Sequence, residues 1–331
     1  MKIYSIEKSM LAKLKPLIAD YQFKPYKEYE IEQSLLDRYV IEEISDILSR
    51  ESGFVFVGEE MGELVGLATL EKLDWDTKHF GIEMAKIRHL IARDGYPKAL
   101  KVKRELISHL LAECREKRIS HISARIYKED ISSIHALENK GFQLMDVIVT
   151  YYLDLRKMKP VRPRTQCRIR QFKQEDMPKL KEIVMECFGV ETVATDHFHA
   201  DPTLPKEKSD ELYVQWIIES IREPSDTILI AELNRKLIGF TACRVHRSLG
   251  EKLGIRFGTI ILTGVIPSAR GKSVATSLSH AALQWFADKV DIVERGGQVS
   301  NYAVQRVWNR SGFRIVRSQC TFHWSRFDHY V

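Results

Sequence analysis

The sequence predicts a tandem α/β protein, two copies of one unit, each with helices packed on a mixed sheet. Three observations predict it. The chain has 331 residues, and at roughly 150 residues per domain that length holds about two domains. A hairpin pattern, FVFVGEEMGELVGLATL at 54–70, returns as TILIAELNRKLIGFTAC at 227–243, with Gly66 and Gly239 at equivalent places. Farther on, ISHLLAEC answers LSHAALQW, and LENKGF (137–142) answers WNRSGF (308–313), in the same order. A hairpin, a helix and a Gly-Phe corner repeated in fixed order imply a duplicated domain.

Each copy reads as helices, a hairpin, a strand, a long amphipathic helix, a strand, a short helix, the corner and terminal strands. The second copy shows it best. ELYVQWIIESI (211–221) has helical apolar spacing, and TIILTGVI (259–266) is a continuous apolar run suited to a buried strand. KSVATSLSHAALQWFADK (272–289) is helical, and DIVERGGQ (291–298) runs as a strand into a loop. NYAVQRVWNRSGF (301–313) is a short helix stopped by Gly312, as expected of a C-terminal cap. QCTFHWSRF (319–327) is expected to close the second sheet. The predicted domains are 1–155 and 166–331, joined by a basic linker at 156–165.

The formal charge is +6, from 51 basic and 45 acidic side chains. Residues 1–155 carry a net −3, residues 166–331 a net +4, and RKMKPVRPRT at 156–165 alone carries +5. A Pro-interrupted charged run between two folded patterns reads as a solvated linker, which argues against a nucleic-acid partner. Five scattered cysteines without a C-x-x-C exclude a disulfide framework or zinc finger and fit a reducing compartment, so the expected location is the cytoplasm. The N-terminus lacks the apolar core of a signal peptide, and no run of about 18 apolar residues suggests a membrane partner. No G-x-x-x-x-G-K-[ST] or G-x-G-x-x-G is present, so nucleotide hydrolysis and dinucleotide binding have no support.

The strand TIILTGVIP runs directly into SARGKSVATSL. Backbone N–H groups at a helix start, flanked by Arg270 and Lys272, make an anion site suited to a pyrophosphate. A strand, then R-x-x-G-x-A, then a helix resembles the acyl-coenzyme A site of the GNAT N-acetyltransferase superfamily, here Arg270-Gly271-Lys272-Ser273-Val274-Ala275. ATDHFHADPTLPKEKSDELYVQWI (194–217), GGQVSNYAVQRVWNRSGF (296–313), CTFHWSRF (320–327) and LDWDTKHFGIEMAKI (73–87) further resemble blocks of the dTDP-fucosamine acetyltransferase-like family. The resemblance implies tandem GNAT-type acyl-CoA N-acyltransferase domains, each a mixed, largely antiparallel sheet flanked by helices. It implies acetyl-CoA as co-substrate, no metal, and an amine acceptor on a nucleotide-linked deoxy sugar of the kind used in cell-surface polysaccharide biosynthesis. Another small amine, such as an amino acid or polyamine, or a non-catalytic acyl-CoA-binding role, are the alternatives. Whether the terminal strands build a homodimer stays open.

The resemblance also assigns residues. Leu262, Gly264 and Val265 would line the pantetheine arm, with a backbone N–H near Gly264 or Val265 as oxyanion donor. Arg270 through Ala275 would hold the pyrophosphate, and Asn301 would reach the arm from the short helix. An amine must be neutral to attack, so a base is needed, and His197, His199 and His323 are the candidates. Asp196, Phe198, Asp201, Tyr213 and Trp216 are candidates for the acceptor pocket. The loop histidines and aspartates also read as structural caps or a metal-like cluster, and Tyr213 and Trp216 as core.

Three departures stand out. Ser273 occupies a place where the family favours Gly. Trp308 stands where the family usually has the Tyr general acid, and its indole is a poor proton donor. The first copy's loop, ARDGYPKALKVKREL (92–106), contains a Pro and no R-x-x-G-x-A, so that copy is expected to have lost coenzyme binding. Trp75, Asp76 and Phe80 are expected to hold a domain–domain or substrate-side loop.

Overall fold

Both hairpins turn on two consecutive residues at positive φ, the geometry that matches strand twist. In the first, Met61 and Gly62 have φ of 50° and 82°; in the second, Asn234 and Arg235 have φ of 50° and 63°. The structure is a computed structural model and describes residues 1–50, 53–93, 95–158, 167–188, 196–223 and 226–326.

The first copy runs β1 (Lys2–Ser5), α1 (Lys15–Asp20), α2 (Gln33–Leu48), β2 (Gly53–Glu60), β3 (Glu63–Lys72), α3 (Asp74–Phe80), β4 (Met84–Ala92), α4 (Tyr96–Glu116), β5 (His121–Tyr127), α5 (Ile131–Glu138) and β6 (Gln143–Asp154). The second runs β7 (Arg168–Gln171), α6 (Met177–Phe188), α7 (Lys206–Arg222), β8 (Asp226–Leu233), β9 (Lys236–His246), α8 (Arg247–Leu253), β10 (Phe257–Val265), α9 (Val274–Phe286), β11 (Ile292–Gln298), α10 (Tyr302–Arg310) and β12 (Arg314–Ser325). The predicted elements are present, with α7 longer and α9 shorter at both ends than their apolar patterns indicate. Of the basic stretch 156–165, residues 159–165 lie outside the described residues, as do 194–195 of the D-H-x-H segment and Phe327 of the last strand.

The copies match down to their caps. The Asp130 carboxylate accepts from the Ser133 N–H and starts α5; the Asn301 side chain accepts from the Val304 N–H and starts α10. Gly141 (φ 80°) and Gly312 (φ 88°) stop those helices, with Phe142 N–H donating to Leu137 and Phe313 N–H to Trp308. This left-handed cap satisfies the last carbonyls and delivers each Phe to the core. A further repeat escaped the sequence reading: α3 ends on Gly81 and α8 on Gly254, both left-handed. Gly66 and Gly239 lack side chains for packing reasons. A Cβ on Gly66 would lie 2.4 Å from Val102 of α4, and one on Gly239 2.8 Å from the Gly264 carbonyl.

The compact units divide the chain differently from the sequence copies. Unit 1 comprises Met1–Val147 together with Ser318–Val331, and unit 2 comprises Ile148–Arg317. In unit 1, β1, β2, β3 and β4 pair antiparallel in turn, β4 pairs β5 in parallel, and β12 from Gln319 pairs β5 antiparallel. In unit 2, β7, β8, β9 and β10 pair antiparallel in turn, β10 pairs β11 in parallel, and β6 from Ile148 pairs β11 antiparallel. Each unit is thus completed by the last strand of the other copy. The expectation that 319–327 closes the second sheet gives way to this exchange.

The cores give its physical reason. Cys320, Phe322 and Trp324 pack with Leu106, Leu110, Ile122 and Ala124 in unit 1. Val149, Tyr151 and Leu153 pack with Leu283, Phe286, Trp308 and Phe313 in unit 2. Burying each large apolar side chain contributes roughly 1.5–3 kcal/mol, so neither unit is complete without its exchanged strand.

Candidate active site

In unit 2 the parallel pairing of β10 with β11 covers only Phe257↔Ile292, Gly258↔Val293 and Thr259↔Glu294. Beyond Thr259, β10 continues to Val265 against β9 alone, with a register shift between Ile260 and Leu262. The two central strands therefore part, and the parted edge of β10 presents backbone polar groups to a ligand. This is the place expected for the pantetheine arm. Leu262 pairs with Ala242, Gly264 with Phe240 and Val265 with Gly239. A Cβ on Gly264 would lie 2.7 Å from the Phe240 ring and 3.1 Å from Cys187 Sγ, so only Gly fits there.

The strand leads through a 3-10 turn at Pro267–Ala269 into the loop before α9. Gly271 has φ 75° and Ser273, the residue capping α9, has φ 59°. These two left-handed residues fold the chain back so that the loop amides and the first turn of α9 lie together. The first-turn N–H groups have no acceptor within the helix, and the helix dipole adds partial positive charge. The cations brace this loop as well as charging it. Arg270 Nε donates to the Val265 carbonyl at 3.1 Å and Lys272 Nζ to the Ser268 carbonyl at 3.0 Å. Val274 is buried beneath the loop, and Ala275 follows it in the first helical turn.

Two further side chains flank the parted strands: Cys187, which reads from sequence as a small buried apolar residue, and Arg295, which sequence did not single out. Cys187, at the end of α6, packs under Gly264 within hydrogen-bonding reach of the Val265 backbone and Arg270. Burial pushes its thiol up to about 11, so it stays protonated near neutrality and is no nucleophile. Arg295 on β11 is 3% exposed. It donates to Ser279 Oγ of α9 at 2.9 Å and to Thr263 Oγ1 of β10 at 3.3 Å. Among the described residues no carboxylate pairs with it, and burial lowers its pKa to about 9. Only the general prior against buried unpaired cations could have flagged it, and that prior looks at structure.

Trp308 is 4% exposed, with its ring 4.5 Å from the guanidinium carbon of Arg295 and 5.1 Å from the Tyr151 ring. It packs as a core residue of unit 2 rather than lining the strand edge. Asn301 spends its side-chain oxygen on capping α10. Its amide NH2 is the part left to meet another acceptor.

The D-H-x-H segment folds onto α7. His199 lies between two carboxylates, Nδ1 at 2.7 Å from Asp196 and Nε2 at 3.1 Å from Asp210, while Tyr213 Oη donates to Asp196 at 2.6 Å. The hydrogen bond with Asp196 raises the His199 pKa against the opposing effect of burial, and Asp210 adds to it. Burial pushes Asp196 up, but the bonds from His199 and Tyr213 outweigh it and leave its pKa lowered. With both ring nitrogens hydrogen-bonded to carboxylates, His199 ties the loop to α7. His197 is half-buried, its ring 3.9 Å from that of Phe198. Asp201 accepts from the N–H and hydroxyl of Thr203. Phe198, Trp216, Tyr213 and Phe188 form a chain of ring contacts. Tyr213 shares a buried cluster with Cys187 and Leu262, which ties this segment to β10.

His323 lies in unit 1 on β12, opposite Ser123, with Nδ1 at 3.3 Å from His121 Nε2. It is thus in a different compact unit from the Arg270 loop. Among the described residues, no helix is long and apolar enough to cross a membrane.

Two family models match the chain, an acetyltransferase (GNAT) domain over residues 3–152 and the acetyltransferase (GNAT) family over residues 179–313. No curated protein matches the chain in sequence. Among solved structures, a GCN5-related N-acetyltransferase from Sphaerobacter thermophilus is similar, with TM-score 0.65, 15% identity and coverage of 98% of this chain and 95% of that one. A tandem GNAT protein from the clavulanic acid biosynthesis pathway has TM-score 0.59 and 14% identity, covering 98% of each chain. A glucosamine N-acetyltransferase region of a fungal multi-domain β-N-acetylglucosaminidase has TM-score 0.63 and 14% identity, covering 98% of this chain and 38% of that one. With two family models that together span most of its length and a tandem GNAT fold, the chain belongs to the GNAT superfamily and is an acetyl-CoA-dependent N-acyltransferase.

Proposed function

We propose that unit 2 transfers an acetyl group from acetyl-CoA to the primary amine of a nucleotide-linked amino deoxy sugar, by direct attack in a ternary complex. The observation that carries the transferase reading is the parting of β10 from β11 beyond Thr259, directly upstream of the Gly271–Ser273 turn. Amides of the loop and of the first turn of α9 would hold the pyrophosphate, and the open edge of β10 the pantetheine. A backbone N–H at Gly264 or Val265 would meet the thioester oxygen as charge builds there. His197 is the base candidate, acting through water or directly, with His199 fixing the loop that carries it. Trp308, buried against Arg295, gives no proton to the departing thiolate in this reading; water does.

The sugar acceptor is supported by the resemblance of segment 194–217 to the amino-sugar family and by the tie of that segment to β10 through Tyr213 and Leu262. The fungal structure with the same fold acts on glucosamine. The first copy is read as unable to bind coenzyme. Its α4 starts at Tyr96-Pro97 from an extended Gly95, and Pro97 removes an amide; among the described residues of that loop none has a positive φ. In addition, Lys103 Nζ is buried against Asp130 at 2.8 Å. Release of CoA measured over a panel of amines tests the acceptor. Turnover of a nucleotide amino sugar is expected, and turnover of only simple amines would reject it.

A further inference from the structure

The pairing of β10 with β11 ends at Thr259↔Glu294, and Arg295 is the next residue of β11. Its guanidinium takes over where the backbone ladder stops. Nη1 donates to Ser279 Oγ of α9 at 2.9 Å, while Nη2 reaches across the gap to Thr263 Oγ1 of β10 at 3.3 Å. The buried Nε has no hydrogen-bond partner among the described residues. Withdrawing a guanidinium from water without a counter-charge is costly, and an apolar side chain would fill the same space at lower cost.

The hydroxyls it meets supply a reason for the cation. Thr241 Oγ1 on β9 donates to the Leu262 carbonyl at 3.3 Å, which uses its single proton. The 2.8 Å bond between the two threonine hydroxyls therefore runs from Thr263 to Thr241. Arginine can only donate, so Thr263 accepts from it. Every proton in the chain points one way, from Arg295 to Thr263, to Thr241, to the Leu262 carbonyl. Hydrogen bonds in such a series polarise one another.

The end of the series faces the parted edge. Ile266 N–H donates to the Ile238 carbonyl, so position 266 turns its polar groups toward β9. Backbone groups alternate along a strand, and no register shift falls between Leu262 and Val265. Leu262 and Gly264 thus turn to β9 as well, while Thr263 and Val265 turn into the gap. The Leu262 carbonyl and the Thr263 N–H belong to one planar peptide group. A hydrogen bond to the carbonyl on the β9 side makes the N–H on the gap side a stronger donor.

We propose that Arg295 is a positioning residue for the acyl-coenzyme. Through Thr263 and Thr241 it fixes the parted edge of β10 and strengthens the Thr263 N–H as donor to a carbonyl of the acyl-pantetheine. The relay rests on the reading that the coenzyme arm lies along this edge. Of the two amides offered there to the thioester, it favours Val265, because Gly264 turns to β9.

The test is calorimetry of acetyl-CoA binding to the full chain and to four single variants. Thr263→Val keeps the branching but removes the relay hydroxyl, and should weaken binding about tenfold, as expected for a hydrogen bond to a charged group. Thr263→Ser restores the hydroxyl and should recover most of the affinity. Ser279→Ala removes the other Arg295 bond, outside the relay; it should destabilise the fold comparably in a urea melt yet change affinity less than about threefold. Equal losses of affinity in Thr263→Val and Ser279→Ala, or no recovery in Thr263→Ser, would overturn the relay. Arg270→Ala tells its failure from that of the underlying reading. If Arg270→Ala weakens binding and Thr263→Val does not, the relay alone is wrong; if neither does, the coenzyme lies elsewhere and both fall.

Discussion

The guanidinium carbon of Arg295 lies 4.5 Å from the centroid of the Trp308 ring, with both residues buried between β11 and α10. The Trp308 ring covers a buried cation, at the position where the resemblance alone would place a proton-donating Tyr. Trp308→Phe keeps an aromatic face and should leave kcat within a few-fold, whereas Trp308→Ala uncovers the cation and should cost about 3–5 kcal/mol of stability. Urea melts and steady-state kinetics on both variants check this. A collapse of kcat in a folded Trp308→Phe would mean the indole takes part in the reaction.

Ser273 holds φ 59° with no side-chain bond to its own helix. A non-glycine residue in this region pays about 1–2 kcal/mol, while glycine loses roughly 0.5–1 kcal/mol of chain entropy on folding. Ser273→Gly should therefore raise stability by up to about 1 kcal/mol and lower the acetyl-CoA KM. Gly271→Ala, at φ 75°, should do the reverse. Thermal melts and coenzyme KM values read both, and a Ser273→Gly protein that is less stable and binds coenzyme worse would contradict the account.

Arg270 both charges the loop and ties it to the end of β10. Arg270→Ala should raise the acetyl-CoA KM at least tenfold with much less effect on the amine KM. An unchanged coenzyme KM would remove Arg270 from the pyrophosphate site.

The Asp196–His199–Asp210 cluster predicts a pH signature. The His199 pKa is raised, so its contribution is complete below the ordinary 6.5 and is lost as pH rises through the folded value. The Asp196 pKa is lowered, so its contribution is present above the ordinary 3.8 and is lost as pH falls through the folded value. His199→Asn should consequently destabilise the protein more at pH 5.5 than at pH 8.5. Equal losses at the two pH values would show that His199 is neutral in the fold.

The strand exchange predicts that the sequence copies do not fold as separate domains. A chain ending at Arg317 loses Phe322 and Trp324 from the core of unit 1, worth together about 3–6 kcal/mol, out of a typical domain stability of about 5–15 kcal/mol. Limited proteolysis should then cut unit 1 while unit 2 persists. Protease resistance of both units would argue against the exchange.

The duplication was legible because its marks are local. Gly141 and Gly312 need a left-handed backbone, and Gly66 and Gly239 leave room for a helix or a neighbouring strand, so each copy keeps the residue that its own geometry demands. The left-handed turn before α9 was legible for the same reason, since Gly271 and the run from Arg270 to Ala275 lie within one turn of chain. The roles of the histidines were not legible. Whether His199 is a base or a held cation depends on Asp210, eleven residues away on a helix, and on Tyr213 sharing Asp196.

The sequence by itself determined that there are two copies of one α/β unit and that one of them carries a Gly-containing turn between a strand and a helix start. Periodicity, turn residues and caps are written in neighbouring positions. Only the tertiary structure decided which copy each last strand completes and that Trp308 covers the buried Arg295. Those outcomes depend on burial shared between residues far apart in the chain. Phe322 looks the same in sequence whichever sheet it enters; the core it fills, with Ala124 and Leu110, places it in unit 1.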